Sequence, residues 1–131
     1  MKILIVEDEI ALSEVLRIEF ERADFETEVA ADGEIAMAKL QSSEPLPDLV
    51  LLDLILPKKD GFAVLEEMKN DPKLKNVPTI IISNLDSDED IKRTLALGAV
   101  DYFVKVQHPV MELVEKVKAY LLEPPKTRSR R

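Results

Sequence analysis

The stretch Leu49-Val50-Leu51-Leu52-Asp53-Leu54-Ile55-Leu56-Pro57 carries a single charge in an otherwise apolar run. A run apolar on both faces reads as a strand buried on both sides, the pattern of a parallel sheet covered by helices. Burying a lone carboxylate costs several kcal/mol, on the order of a lost solvation shell, so Asp53 needs compensation. A strand that stops before Pro57 delivers Asp53 to its carboxyl end, where open α/β sheets bind ligands.

Strand-like segments rich in branched residues flank this run at Lys2–Val6, Glu26–Ala31, Asp48–Asp53, Thr79–Ser83 and Asp101–Val106. Helical patterns lie between and after them. Leu12, Val15, Leu16 and Phe20 are expected on one face of helix one; Ile35, Ala36 and Leu40 follow Asp32-Gly33 in helix two; Phe62, Leu65 and Met68 follow Asp60-Gly61 in helix three. Ser87 with Asp90 three residues on predicts a capping box at the start of helix four, and Gly98 a left-handed stop at its end. Val110, Leu113, Val114, Val117 and Leu121 repeat at helical spacing in helix five. Strict alternation of strand and helix predicts an α/β fold, a (βα)5 doubly wound parallel sheet with right-handed crossovers. The long connection Ser42–Pro47 carries two prolines that end helix two.

With 131 residues and 46% hydrophobic content, the chain suits one domain, expected over residues 1–122. No stretch approaches the roughly 20 apolar residues that span a bilayer, and the amino terminus enters a strand instead of a signal peptide. The absence of cysteine excludes disulfides and thiolate metal sites and fits a cytoplasmic location. Net charge is −8, but residues 123–131 carry a local +3, leaving −11 for residues 1–122. An acidic body repels nucleic acid and anionic lipid, so neither DNA nor a membrane is an expected partner of the domain. The basic tail after Pro124-Pro125 reads as a flexible terminus or linker stub.

The strand ends supply the compensation for Asp53. Glu7 and Asp8 follow strand one on the same sheet edge, and three converging carboxylates invite a divalent cation; all-oxygen ligation suits Mg²⁺ or Mn²⁺. The same pair could serve only as acids opposing the dipole of helix one. Ser83 ends strand four and Lys105 lies late in strand five. An ammonium and a hydroxyl beside a carboxylate can hold phosphoryl oxygens, with Asp53 as nucleophile forming an aspartyl phosphate. Taken singly, a strand-end serine is a common cap and an edge lysine commonly snorkels.

As a set, Glu7-Asp8, the segment Asp53 to Gly61, Ser83, Gly98-Ala99 and Asp101-Tyr102-Phe103-Val104-Lys105 resemble the receiver domain of two-component response regulators, across residues 2–122. The resemblance implies a flavodoxin-like strand order 2-1-3-4-5. It implies Asp53 as phosphoacceptor from a sensor histidine kinase or histidine phosphotransfer protein, and Mg²⁺ or Mn²⁺ held by Glu7, Asp8, Asp53 and the Ile55 backbone carbonyl. Lys105 would pair with the phosphoryl oxygens, Ser83 would be the switch hydroxyl and Tyr102 the aromatic switch. Helix four, strand five and helix five would form the output face toward a downstream protein. The unit would be a monomer or a phosphorylation-dependent dimer, with no enzymatic role beyond self-phosphorylation and slow autodephosphorylation.

Three positions depart from the family pattern. Val106 stands where a cis-bonded proline usually follows the strand-five lysine; a cis bond there would cost about 2.5–4 kcal/mol, so either that strain is kept or the loop Val106–His108 runs differently. Pro109 would then simply start helix five. Asn84 replaces a small residue after the switch hydroxyl and would tune access to Asp53, and Ile55 and Leu85 flank the site with apolar groups that orient no water, which predicts slow hydrolysis. His108 reads as a solvated loop histidine, and Met111 and Tyr120 as packing or partner contacts. Two other readings compete: a receiver-like interaction module that is never phosphorylated, supported by Asn84 and Val106, and an aspartyl-phosphate phosphatase, disfavoured because Ile55 stands where that class carries a second acid.

Overall fold

The computed structural model describes residues 1–122; the basic stretch 123–131 lies outside the described residues. Five parallel strands, β1 (Lys2–Val6), β2 (Glu26–Ala30), β3 (Leu49–Asp53), β4 (Thr79–Ser83) and β5 (Asp101–Val104), form one sheet in the order β2-β1-β3-β4-β5. Helices α1 (Ile10–Arg22), α2 (Gly33–Ser42), α3 (Gly61–Asn70), α4 (Asp88–Ala96) and α5 (Val110–Leu122) alternate with them. The expected doubly wound architecture is therefore the observed one. No helix among the described residues is long and apolar enough to cross a membrane.

Strand parity divides the core in two. Leu4, Val6, Val50, Leu52 and Ile81 pack with Ala36 and Leu40 of α2 and Val64, Leu65 and Met68 of α3. Ile3, Ile5, Leu49, Leu51, Ile80 and Ile82 pack on the other face with Leu16 and Phe20 of α1 and Leu113, Val114 and Val117 of α5. The central strand β3 is buried throughout, as its apolar run requires. Register aligns the carboxyl ends: Val6 pairs with Leu52 and Ala30, Asp53 with Ile82, and Ser83 with Val104. Every crossover thus returns the chain to begin the next strand from the opposite edge, leaving the loops after the strands gathered on one side.

The structure corrects several boundaries and faces. Strand β5 ends at Val104, not Val106, because its neighbour β4 stops at Ser83; the last ladder bond runs from the Lys105 amide to the Ser83 carbonyl at 2.9 Å. Lys105 consequently sits in a turn, closed by the Gln107 amide on the Val104 carbonyl at 3.2 Å. Val15 and Ile35 face solvent, 45% and 40% exposed, since the buried arc of α1 centres on Ser13, Leu16 and Phe20, and that of α2 on Ala36, Met37 and Leu40. Buried Ser13 donates its hydroxyl to the Ile10 carbonyl at 3.0 Å.

Helix four begins and ends as the sequence predicts. Ser87 Oγ accepts from the Asp90 amide at 3.1 Å and donates to the Asp90 carboxylate at 2.9 Å, while Gly98 adopts φ +109°. Among the described residues the one cis peptide bond joins Glu44 and Pro45, so the Lys105–Val106 bond is trans and the β5–α5 loop takes the second of the two courses open to it. His108, at the end of that loop, is paired: its Nδ1 lies 2.6 Å from Glu112 Oε2 and its ring tilts against Phe103. Met111 is exposed, whereas Tyr120 is half-buried against the α1–α5 core.

Candidate functional site

The carboxyl edge of the sheet brings Glu7, Asp8 and Asp53 together: one carboxylate oxygen from each lies within 4.8 Å of the others. Glu7 and Asp53 are 2% and 5% exposed, and Asp8 is exposed. Two buried carboxylates this close require a cation. Lys105 provides one, its Nζ 2.6 Å from Glu7 Oε1 and 2.9 Å from Asp53 Oδ2. The turn after β5 aims the lysine across β4 and β3, and the trans bond to Val106 does not prevent that reach.

The electrostatics of the cluster are unbalanced. Burial raises the pKa of Glu7 above the usual carboxylate range, although Lys105 and the Glu9 amide, bonded to Glu7 Oε2 at 3.0 Å, pull the other way. Burial likewise opposes the charged form of Lys105, but Glu7 and Asp53 outweigh it and hold its pKa above the usual lysine range. Glu7 Oε1 is buried and faces the Lys105 ammonium as an ion pair at 2.6 Å, with no hydrogen-bond partner besides. An under-satisfied buried carboxylate oxygen beside two further carboxylates fits a hard divalent cation.

Of the remaining expected residues, Ile55 bonds to the cluster through its backbone, whereas the Ser83 and Tyr102 hydroxyls bond to Leu85. The Ile55 amide donates to Asp53 Oδ1 at 3.3 Å, so Ile55 is placed by the phosphoacceptor candidate itself, its side chain 62% exposed. Ser83 is fully buried and its Oγ accepts from the Leu85 amide at 3.1 Å. Tyr102 packs against the α2–α3 side of the core, and its hydroxyl donates to the Leu85 carbonyl at 2.6 Å. Ser83 and Tyr102 therefore grip the same residue of the β4–α4 loop from two strands, with Leu85 half-buried and Asn84 exposed. Burial raises the Tyr102 pKa above the usual phenol value.

Sequence patterning places Asp32-Gly33 and Asp60-Gly61 at helix starts, and the structure adds more. A Cβ on Gly61 would lie 2.2 Å from the Asp53 carbonyl oxygen, so α3 begins in contact with the backbone of β3. Asp32 is 6% exposed, a third buried carboxylate on this edge. The signal for Gly61 was its spacing from Asp53; nothing in the sequence marks Asp32 as buried.

A profile of the response regulator receiver domain matches residues 3–118. The chain belongs to the response regulator receiver family. Response regulator Rcp1 of Synechocystis is 34% identical over 130 residues, covering 92% of this chain and 88% of that protein. The phosphate regulon transcriptional regulatory protein PhoB of Rhizobium meliloti is 38% identical, with 92% of this chain but 52% of that protein covered. The chain spans about half the length of PhoB and of the Synechocystis regulator RpaA, of which 48% is covered. The crystal structure of the Mn²⁺-bound form of Rcp1 superposes with a TM-score of 0.82 at 34% identity over 93% of this chain and 94% of that one. That of the phosphorylated cyanobacterial phytochrome response regulator RcpA gives 0.83 at 33% identity, again over 93% and 94%. This receiver is accordingly a signalling domain of the two-component class, with the flavodoxin-like fold and an acidic cluster of Glu7, Asp8 and Asp53 whose spacing could hold a metal ion.

Proposed function

We propose that this receiver is a phosphorylation-controlled switch in which Asp53 accepts a phosphoryl group from a phosphohistidine on a sensor kinase or phosphotransfer protein. The observation that carries the reading is the bridge Glu7–Lys105–Asp53, a cation already placed where charge develops during phosphoryl transfer. An Asp53 carboxylate oxygen attacks phosphorus, the P–N bond breaks, and its electron pair leaves on the donor imidazole. Lys105 exchanges a carboxylate for a phosphoryl oxygen. Glu7, Asp8, Asp53 and the Ile55 carbonyl would hold Mg²⁺ or Mn²⁺, which when bound screens the repulsion between anionic nucleophile and anionic donor.

The Ser83 hydroxyl, now held by the Leu85 amide, turns to the new phosphoryl group; the released loop lets Tyr102 and α4 repack, so the α4-β5-α5 face is the output surface. Exposed Ile55 and half-buried Leu85 offer no group to orient water, which supports slow hydrolysis, with Asn84 tuning access. The domain would act at residues 1–122 in the cytoplasm, with 123–131 as tail or linker, as a monomer or a phosphorylation-dependent dimer. Incubation with acetyl phosphate and Mg²⁺, read by intact mass, should add one phosphoryl group that is lost in Asp53→Ala. No adduct, and no response to beryllofluoride, would favour a phosphorylation-independent interaction module. Steady phosphate release from small esters would favour a phosphatase.

A further inference from the structure

The buried carboxylate of Asp32 lies on the same sheet edge as the site but takes no part in the chemistry. It sits just beyond β2, whose Ala30 carbonyl accepts from the Glu7 amide at 3.0 Å. One oxygen caps α2, accepting from the Ile35 amide at 2.8 Å. The other is 3.7 Å from the ammonium of Lys58. Lys58 belongs to the β3–α3 loop, three residues after Ile55, and adopts φ +68°, a left-handed conformation that ordinary side chains avoid. Outliers of this kind persist where surrounding structure over-determines them.

The surroundings supply that constraint. The Lys59 amide donates to the Pro57 carbonyl at 2.8 Å, turning the chain tightly about Lys58. A Cβ on Gly33 would lie 1.9 Å from the Lys59 carbonyl oxygen and 2.7 Å from its carbonyl carbon, so the β2–α2 turn rests directly on this loop. At the far end, the Gly61 amide donates to the Leu54 carbonyl at 2.9 Å and closes the loop onto β3. Glycine at 58 would adopt the same backbone without strain. What lysine adds there is an ammonium facing a carboxylate that is otherwise buried.

We infer that Asp32 and Lys58 are positioning residues that fasten the β3–α3 loop to the β2–α2 turn and thereby hold the Ile55 carbonyl toward a divalent cation. The inference rests on the reading of Glu7, Asp8, Asp53 and the Ile55 carbonyl as the metal ligands. A backbone carbonyl is a ligand whose direction is set wholly by loop conformation, so a tether on that loop acts as the outer-shell partner of the ligand. The local strain is retained because the strained residue carries the tether.

The test separates loop positioning from stability. Lys58→Gly removes the ammonium while relieving the backbone, and Asp32→Asn keeps an oxygen to cap α2 while removing the charge. Mn²⁺ affinity of the full chain is measured by electron paramagnetic resonance, and thermal unfolding is followed in EDTA. Lys58→Gly should melt at or above the wild-type temperature without metal yet bind Mn²⁺ about tenfold more weakly, the low end of outer-shell effects, as suits a partly exposed pair. Asp32→Asn should lose affinity to a similar degree, and the double variant no more than either single one. Unchanged Mn²⁺ affinity in Lys58→Gly, with wild type binding normally, overturns the positioning role alone. Failure of the wild type to bind Mn²⁺ overturns the metal-site reading and the inference with it.

Discussion

Lys105 acts as an internal counter-ion for a site that carries too much negative charge to be buried unaided. Its side chain is 18% exposed, and those of its partners Glu7 and Asp53 are 1% and 7% exposed. Removing one member of a buried cluster leaves charge without compensation, which costs more than the pair contributes when intact. Lys105→Met should lower stability in EDTA by about 2–3 kcal/mol, because partial protonation of the crowded carboxylates relieves some of a larger penalty. Urea unfolding in EDTA measures this; a midpoint equal to wild type would show that the carboxylates need no counter-ion. Tyr102 makes a separate prediction at alkaline pH. Its folded pKa lies above the unfolded value of 10.0, raised chiefly by burial, so the phenol's contribution is fully present below that value and lost as pH rises through the folded pKa. The stability difference between wild type and Tyr102→Phe should narrow above pH 10 in metal-free urea melts, since the variant has no phenol to ionise and no bond to the Leu85 carbonyl to lose.

Elements translate these residue effects into movement or resistance to it. Helix α3 is fixed: Gly61 meets the Asp53 carbonyl oxygen and the Leu54 Cα, both backbone, so Gly61→Ala cannot be accommodated by a rotamer change. A loss of about 3 kcal/mol is expected, at the upper end for overpacking, together with a lower phosphorylation rate of the fraction that remains folded. Helix α4 is the contrasting case, burying Thr94 alone among its residues and depending on the Ser87 cap. Ser87→Ala should cost about 1 kcal/mol locally, visible as faster amide exchange across Asp88–Ile91 with little change in the global melt. Much of this was legible in the sequence. The apolar run ending at Asp53, the Ser87-Asp90 cap and Gly98 each follow from local chemistry, and strand order followed from the family resemblance. The faces of Val15 and Ile35 did not, because α1 and α2 carry more apolar side chains than their neighbours can cover. Nor did the end of β5, which is set by where β4 stops, or the burial of Asp32, which depends on a loop that arrives later in the chain. Glu7, Asp8, Asp53 and Lys105 were readable as neighbours because all four sit at or just past strand ends, where parallel topology dictates who meets whom; Ser83 and Tyr102 share that edge and both bond to Leu85.

At the scale of the whole molecule, residues 1–122 carry −11, and part of that charge is concentrated on one sheet edge. A ligand that binds only the folded state stabilises it by RT ln(1 + [L]/Kd), about 2.7 kcal/mol at a hundredfold excess over Kd. Mg²⁺ should therefore raise the unfolding midpoint of the receiver, and Asp53→Ala should reduce the gain by removing a ligand. The size of the gain depends on what the cation displaces. In the metal-free protein Lys105 already neutralises part of the cluster, so a divalent cation approaching Glu7 competes with an ammonium 2.6 Å away. In Lys105→Met that competitor is absent and the carboxylates start uncompensated. The increment in unfolding free energy between EDTA and saturating Mg²⁺ should therefore be larger in Lys105→Met than in wild type, even though the variant is the less stable protein in EDTA. Equal increments would mean that lysine and metal ion occupy independent positions, and that Lys105 has no bond to surrender when the site fills.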